Sequence, residues 1–350
     1  MVYAVDIVSW EDIMASKKIY VTDYEYDSLA PEEREVTSVG LELVPRQCKT
    51  EDDVIRECAD AAGLLDQYAP ITRRVMESLP NLKVVARYGV GVNTVDLEAA
   101  TELGICVLNV PDYCADEVSN HAFSLFMACH RKLVLLEDQI RAGGWDYKIA
   151  KPIRRLAGQT LGLLGFGRIP RMLARKAAAF DLKLAVYDPF VRPEDVAACG
   201  GTLMSLEDVL RTSDIISVHV PLTKDTNHLL SHKEFSLMKP EAIVVNTSRG
   251  PLIDEEALCD ALMHGKIAAA GLDVTEAEPL PADHPLRKLP NVIVTPHIAF
   301  YSEESELELK TKTARGAAEI VCGYDMPNIV NREVRAKLSL KPHRDVNRSC

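Results

Sequence analysis

The chain has 350 residues, 47% of them hydrophobic and 26% charged, the composition of a globular protein long enough for two domains with separate cores. Its net charge of −12 speaks against a phosphate backbone as the main partner, because nucleic-acid binding needs a concentrated positive surface. No run approaches the ~18 apolar residues of a membrane span, and the opening "MVYAVDIVSWEDIM" lacks the basic start and continuous apolar segment of a secretory signal. A soluble, cytoplasmic protein with neither membrane nor nucleic acid as partner is expected. Nine cysteines, an odd number with no C-x-x-C pair, suit reduced and mostly buried thiols.

From residue 18 short apolar runs alternate with amphipathic stretches. "KIYVTD" (18–23), "GLELVP" (40–45), "AAGLLDQ" (61–67), "LKVVARYG" (82–89) and "GICVLNV" (104–110) read as strands, "EDDVIRECA" (51–59) and "ITRRVMESL" (71–79) as helices. Alternation of this kind predicts parallel sheets covered on both faces, an α/β fold. One long helix is expected over 116–142, with Asp116 and Glu117 in its acidic first turn and Gly143-Gly144 at its end.

A second α/β series starts at 160 with "TLGLLGFG" and continues through "KLAVYD" (183–188), "DIISVHV" (214–220), "AIVVNTS" (242–248), "AAAGLDV" (268–274) and "NVIVTPH" (291–297). The closing mixed-charge helix, 302–324, follows the last of these strands and is expected to pack back onto the first unit, making that unit discontinuous. The expected division is 1–110, 111–298 and 299–350. The last twenty residues, polar with scattered cations, are expected to be mobile.

In "LGLLGFGRIPRMLARKAAAF" (161–180) a strand runs into Gly165-Phe166-Gly167 and then a helix, and Asp188 stands at the end of the next strand. Glycines at such a turn let the backbone approach a pyrophosphate, which sits against the positive helix terminus. An acid at the next strand end accepts bonds from an adenosine ribose and repels a 2′-phosphate, so the expected cofactor is NAD rather than NADP. Pro170 replaces the third glycine. A helix tolerates proline in its first turn, where the missing N–H has no intrahelical partner.

Three more stretches end predicted strands of the second unit: "VVNTSRGPLIDEEAL" with Arg249, "GLDVTEAEPL" with Glu278, and "TPHIAF" with His297. Ligands of open parallel sheets bind beyond the carboxyl ends of the strands. Hydride transfer to a 2-oxo acid calls for these residue types. A guanidinium holds the carboxylate and polarises the carbonyl, an imidazole protonates the oxygen, and a carboxylate orients the ring. Asp273, at its own strand end, is expected to bind the nicotinamide amide. His228 and His232 are four residues apart but have no ligand cluster around them, and no metal is expected.

At this point the chain resembles the D-isomer-specific 2-hydroxyacid dehydrogenases from about 18 to 330. The likeness is carried by "RYGVGVNTVDLEAATELGICVLNVP" (87–111), "LGLLGFGRIP", "SDIISVHVPLTKDTNHLL" (213–230), "VVNTSRGPLIDEEAL", "GLDVTEAEPLP" and "TPHIAFYSEES". Within the family, "RYGVGV" and "HIAFYSEES" resemble the branch of the C-terminal-binding protein corepressors, and some members are phosphoglycerate dehydrogenases. The resemblance implies two Rossmann-like doubly wound domains, the substrate domain discontinuous and the other NAD-binding, and a homodimer built on the long helix. It implies Arg249, Glu278 and His297 as the catalytic set. Arg168, Ile169, Val220, Pro221 and Thr247 join Gly165, Gly167, Asp188 and Asp273 around the cofactor. The substrate is implied to meet the amides of Val90 and Gly91, the Arg87 side chain and Phe300. Where the family often has Asp-Asn after "GVGV", this chain has Asn93-Thr94.

The expected function is NAD-dependent interconversion of a D-2-hydroxy acid and its 2-oxo acid. The competing reading is an NADH-sensing dimeric interaction protein, corepressor-like, whose turnover is incidental. Intact Arg, Glu and His favour the enzyme.

Overall fold

The computed structural model describes residues 17–344; residues 1–16, which include the whole stretch read for a secretory signal, and 345–350, which include Cys350, lie outside the described residues. The chain forms two compact units. Unit one comprises the described residues through Tyr113 and those from Ser302 onward, and unit two is Cys114–Tyr301.

Unit one is built on β1 (Lys18–Val21), β2 (Glu42–Pro45), β3 (Gly63–Asp66), β4 (Val84–Arg87) and β5 (Cys106–Leu108), joined by α1 (Ala30–Ser38), α2 (Glu51–Glu57), α3 (Arg73–Glu77) and α4 (Leu97–Leu103). The sheet order is β2-β1-β3-β4-β5, with every pair parallel. Parallel strands covered on both faces lose their polar alternation, and β3 is accordingly buried along its whole length. Local chemistry sets the helix ends. Thr50 and Asp53 form a capping box at α2, while Asp96 caps α4 and Gly104 ends it in the left-handed region at φ 74°. The closing helix, Glu303–Val321, returns to this sheet, and its ion pair from Arg315 to Glu35 (2.9 Å) ties it to α1.

The last twenty residues, 331–350, were expected to be mobile. The described ones among them are held instead: the Asn331 side chain accepts from Val107 N–H (2.9 Å) and donates to the Ile105 carbonyl (2.9 Å), and Val334 is fully buried. One amide thus satisfies backbone groups at the exposed margin of β5, and one valine anchors the turn that follows.

Unit two contains β6 (Thr160–Leu164), β7 (Lys183–Tyr187), β8 (Gly201–Leu203), β9 (Ile215–Val218), β10 (Ile243–Asn246), β11 (Ala269–Leu272) and β12 (Val292–Val294). Its helices are α5 (Ala115–Arg131), α6 (Leu133–Arg141), α7 (Arg168–Ala178), α8 (Pro193–Ala197), α9 (Leu206–Thr212), α10 (His232–Leu237) and α11 (Glu255–Met263). The order β12-β11-β10-β9-β6-β7-β8 is parallel throughout, so the chain reverses its direction of progress between β6 and β9. That switch point is where doubly wound sheets open a crevice at the carboxyl ends of their strands.

The single long helix expected over 116–142 is two helices. Lys132 adopts a left-handed conformation (φ 54°, ψ 40°) between them. The reason lies in burial: α5 keeps an apolar face on the sheet through Cys129, whereas α6 buries no residue and has no packing to hold it on the same axis.

Candidate active site

The carboxyl edge of the unit-two sheet gathers the predicted catalytic residues. After β10, the Asn246 side chain accepts from Ser248 N–H (3.0 Å) and donates to the Arg249 carbonyl (2.8 Å), folding the turn that carries Arg249. The Arg249 guanidinium donates to the Ser248 carbonyl (2.6 Å). Gly250 lies so close to the loop after β11 that a Cβ would sit 1.9 Å from the Thr275 carbonyl oxygen, so only glycine lets the two loops meet. From that loop Thr275 N–H donates to Glu278 Oε1 (3.1 Å), and Glu278 Oε2 lies 2.7 Å from His297 Nδ1.

His297 itself sits at φ 52°, an unusual conformation for a residue with a Cβ and one that persists only where neighbours over-determine it. Its N–H donates to the Asp273 carbonyl (2.8 Å). The Asp273 carboxylate accepts from Thr295 Oγ1 (2.6 Å), Ile298 N–H (2.9 Å) and Ala299 N–H (2.8 Å), with His121 Nε2 3.4 Å away. At 1% exposure this aspartate is the anchor of the histidine loop. The expected bond to a nicotinamide amide would have to use its remaining lone pair on Oδ2.

Burial would raise the Glu278 carboxyl, but the hydrogen bond and charge of His297, the Thr275 N–H and the Arg249 charge outweigh it and hold the group below the ordinary glutamate range. Glu278 is therefore ionised at neutral pH and only accepts, so the proton of the short contact belongs to His297 Nδ1. This leaves Nε2, on a side chain 42% exposed, as the nitrogen that exchanges protons.

The predicted dinucleotide residues occupy the same edge. Gly165, at φ +95°, would bring a Cβ within 2.9 Å of the His219 carbonyl oxygen, which only glycine avoids. Gly167 caps α7 with nothing within 4 Å of its Cβ direction. Arg168 and Ile169 open the helix, and Pro170 takes its third position, buried and without loss of an intrahelical bond. Asp188 Oδ2 accepts from Phe166 N–H (2.8 Å) and Oδ1 from Phe190 N–H (2.8 Å), leaving a lone pair on each oxygen for ribose hydroxyls. After β9 come His219, Val220 and Pro221. Burial depresses the His219 pKa to about 3, so the imidazole stays neutral, with Ser217 Oγ 2.8 Å from Nε2. Beyond β10, the buried Thr247 Oγ1 has no partner among the described residues. An orphaned hydroxyl, a glycine cradle at a helix N-terminus and a preset carboxylate fit a dinucleotide.

In unit one the loop after β4 carries the predicted substrate residues. The N–H groups of Val90 and Gly91 find no acceptor among the described residues, and unpaired successive N–H groups are the donors an anion-binding nest uses. Arg87 donates to the Gln67 carbonyl (3.3 Å). Phe300, in unit two, meets Tyr301 edge-on at 6.4 Å between ring centroids.

Asn246, Ser248, Thr275, Thr295 and His121 were not singled out in the sequence. They act through bonds set by loop geometry, and a lone histidine on a helix such as α5 carries no signal that separates it from a packed one. His228 and His232 diverge: His228 Nε2 pairs with Glu276 (3.1 Å) and His232 faces Asp260 (3.7 Å). A cavity of about 800 Å³ lined by His130, Lys132, Arg155, Gln159, Asp214 and Ile243 opens at the amino ends of the strands, away from this chemistry.

Residues 123–299 match the model of the D-isomer specific 2-hydroxyacid dehydrogenase NAD-binding domain. A glyoxylate reductase of Korarchaeum cryptofilum is 39% identical over 285 residues, covering 80% of this chain and 85% of that one. A glyoxylate reductase of Thermofilum pendens is 36% identical over 340 residues, covering 92% and 96%. The solved D-lactate dehydrogenase of Aquifex aeolicus, complexed with NAD and lactic acid, superposes with a TM-score of 0.80 at 28% identity, covering 91% of this chain and 98% of that one.

The chain belongs to the D-isomer-specific 2-hydroxyacid dehydrogenases. Like others of that family it is an NAD-dependent oxidoreductase that interconverts a D-2-hydroxy acid and its 2-oxo acid. The sensing alternative is not favoured, since the relatives bear the names of enzymes. No described helix is long and apolar enough to cross a membrane.

Replacing Asp188 by Asn keeps an acceptor for Phe166 N–H and removes the charge, so the ratio of kcat/KM with NADH to that with NADPH is expected to narrow about tenfold or more, the equivalent of ~1.4 kcal/mol. An unchanged ratio would remove Asp188 from cofactor choice.

Proposed function

We propose that this dehydrogenase acts on a small 2-oxo acid such as glyoxylate, with Arg249, Glu278 and His297 as its catalytic set. One observation carries the reading: a histidine held 2.7 Å from an ionised carboxylate at the carboxyl edge of a parallel sheet, beside a glycine loop suited to a dinucleotide. Unit two would hold the cofactor through Gly165, Gly167, Arg168, Ile169, Asp188, Val220, Pro221, Thr247 and Asp273. Unit one is then the substrate domain.

Bound NADH supplies the hydride that reaches the carbonyl carbon. His297 Nε2 gives its proton to the carbonyl oxygen, and the C=O becomes an alcohol. In the reverse direction the same nitrogen takes the hydroxyl proton. Glu278 keeps the proton on Nδ1 and stabilises the imidazolium. Arg249 polarises the carbonyl and holds the carboxylate. The Val90 and Gly91 amides of unit one are suited to bind a carboxylate. Arg87 adds positive charge at that end. Phe300 provides an apolar wall, which suits a small or hydrophobic side chain better than a phosphorylated one, and the relatives named glyoxylate reductase support a short acid over those named D-3-phosphoglycerate dehydrogenase.

The test follows NADH oxidation against glyoxylate, hydroxypyruvate, pyruvate and a phosphorylated 2-oxo acid. Turnover is expected with the short acids, and His297→Ala is expected to lower kcat about 10²–10⁴-fold with NADH affinity retained. Arg249→Ala should lower kcat and raise the substrate KM. Near-wild-type rates in both variants, or NADH binding with no acid turned over, would defeat the reading.

We further infer a homodimer formed through α5, α6 and the segment after them. This stretch exposes Leu133, Val134, Ile140 and Tyr147, and Trp145 is 90% exposed, a concentration of apolar surface that monomers seldom leave in water. The lining of the 800 Å³ cavity begins on the same helices, where the buried His130 ring has no described partner for either nitrogen. Sedimentation should give twice the chain mass for the wild type and a shift toward monomer for Trp145→Asp; a monomeric wild type would contradict the inference.

A further inference from the structure

Asp66 is the last residue of β3, fully buried, and was given no role of its own in the sequence. Its main chain and side chain hold opposite ends of one loop. The Asp66 carbonyl accepts from Tyr88 N–H (2.8 Å), where the chain leaves β4, and Asp66 Oδ2 accepts from Thr94 Oγ1 (2.7 Å), where the chain turns toward α4. Between those two bonds lie Gly89 to Asn93, including the Val90 and Gly91 amides. Thr94 is one of the two positions at which this chain departs from the usual Asp-Asn after "GVGV", so the hydroxyl that Asp66 holds is a feature of this sequence.

The carboxylate is itself held from behind. Asp66 Oδ1 lies 3.2 Å from Thr22 Oγ1, which lies 2.7 Å from Asp23 Oδ1. Asp23 is fixed by the N–H groups of Gln67 (3.2 Å), Tyr68 (2.7 Å) and Ala69 (3.3 Å). Thr22 has a single hydroxyl proton, and its shortest bond sends that proton to Asp23. The contact between Thr22 and Asp66 is then a bond only when Asp66 carries a proton and donates it. Burial first, and the Asp23 charge second, raise the Asp66 pKa to about 7, against the opposing effect of Thr94, Arg87 and Thr22, so the protonated form is well populated at neutral pH. In that form every polar atom of the set has a partner, and a bridge of this kind stiffens what it holds.

We propose that the Asp66–Thr94 bond is a latch that positions the 89–93 loop, and with it the Val90 and Gly91 amides, for the substrate carboxylate. Asp66 and Thr94 are thus positioning residues, and the proposal rests on the reading that those amides bind the substrate. A misplaced donor costs substrate binding while leaving the proton transfer at His297 intact.

The test uses the full chain with Thr94→Val, which keeps the shape and removes the hydroxyl, Thr94→Ser, which restores it, and Asp66→Asn, which keeps an acceptor for Thr94 and a donor for Thr22. Backbone hydrogen exchange of Tyr88, Val95 and Asp96, whose N–H groups are bonded at the two ends of this loop, is read alongside steady-state kinetics with glyoxylate. In Thr94→Val, exchange in this loop should quicken about tenfold and KM for glyoxylate should rise about tenfold, with kcat and KM for NADH within about twofold of wild type; both other variants should behave like wild type. Unchanged exchange in Thr94→Val, or loss of protection in all three variants alike, would overturn the latch. Faster exchange with an unchanged KM would overturn its role in substrate positioning. Should the wild type turn over no 2-oxo acid, the functional reading fails, while the exchange data still decide the latch.

Discussion

An ionised carboxylate can only accept hydrogen bonds, and the chemistry proposed for this protein depends on that restriction. With Glu278 held below the ordinary glutamate range, the 2.7 Å contact to His297 fixes the proton on Nδ1 and leaves Nε2 to exchange. The backbone is arranged to maintain the contact. His297 occupies a conformation at φ 52° that would relax if free, and Asp273 prevents relaxation by gathering the Thr295 hydroxyl and the amides of Ile298 and Ala299 around one buried carboxylate. Two acids thus do different work: one faces the imidazole, the other holds the loop on which the imidazole sits.

The sheet explains why residues so far apart in the sequence share an edge. In a parallel sheet every strand delivers its carboxyl end to the same side, so the loops after β6, β7, β9, β10, β11 and β12 bring the glycine turn, Asp188, Val220, Arg249, Glu278 and His297 to one margin. Glycine then decides how close those loops come. At Gly165 a side chain would strike the His219 carbonyl, and at Gly250 it would occupy the Thr275 carbonyl. The substitution of Pro170 for a third glycine is absorbed because the helix starts two residues earlier, so the proline removes no bond.

Much of this was legible because the relevant signals are periodic or local. Apolar runs bounded by turns located eleven of the twelve strands among the described residues; the one missed, β8 (Gly201–Leu203), is short and only partly buried. Arg249, Glu278 and His297 stood out because each ends such a run. The bonds that place them did not stand out, since Asn246 with Ser248, Thr275 with Glu278 and Asp273 with Thr295 join ordinary residue types through loop geometry that no spacing rule encodes. The break between α5 and α6 was hidden for a related reason: the apolar spacing continues across Lys132, and only the loss of a surface to pack on ends the first helix. Asp66 lay unremarked within the strand run "AAGLLDQ", and its importance comes from Thr94 and Thr22, neither of which is near it in sequence.

Nitrogen-15 NMR of the His297 imidazole, assigned by comparison with His297→Gln, addresses the central claim without relying on turnover. In the neutral ring the expected spectrum has Nδ1 protonated and Nε2 bare, a preference that weakens in Glu278→Gln. A neutral ring protonated at Nε2, or a tautomer balance indifferent to Glu278, would contradict the account.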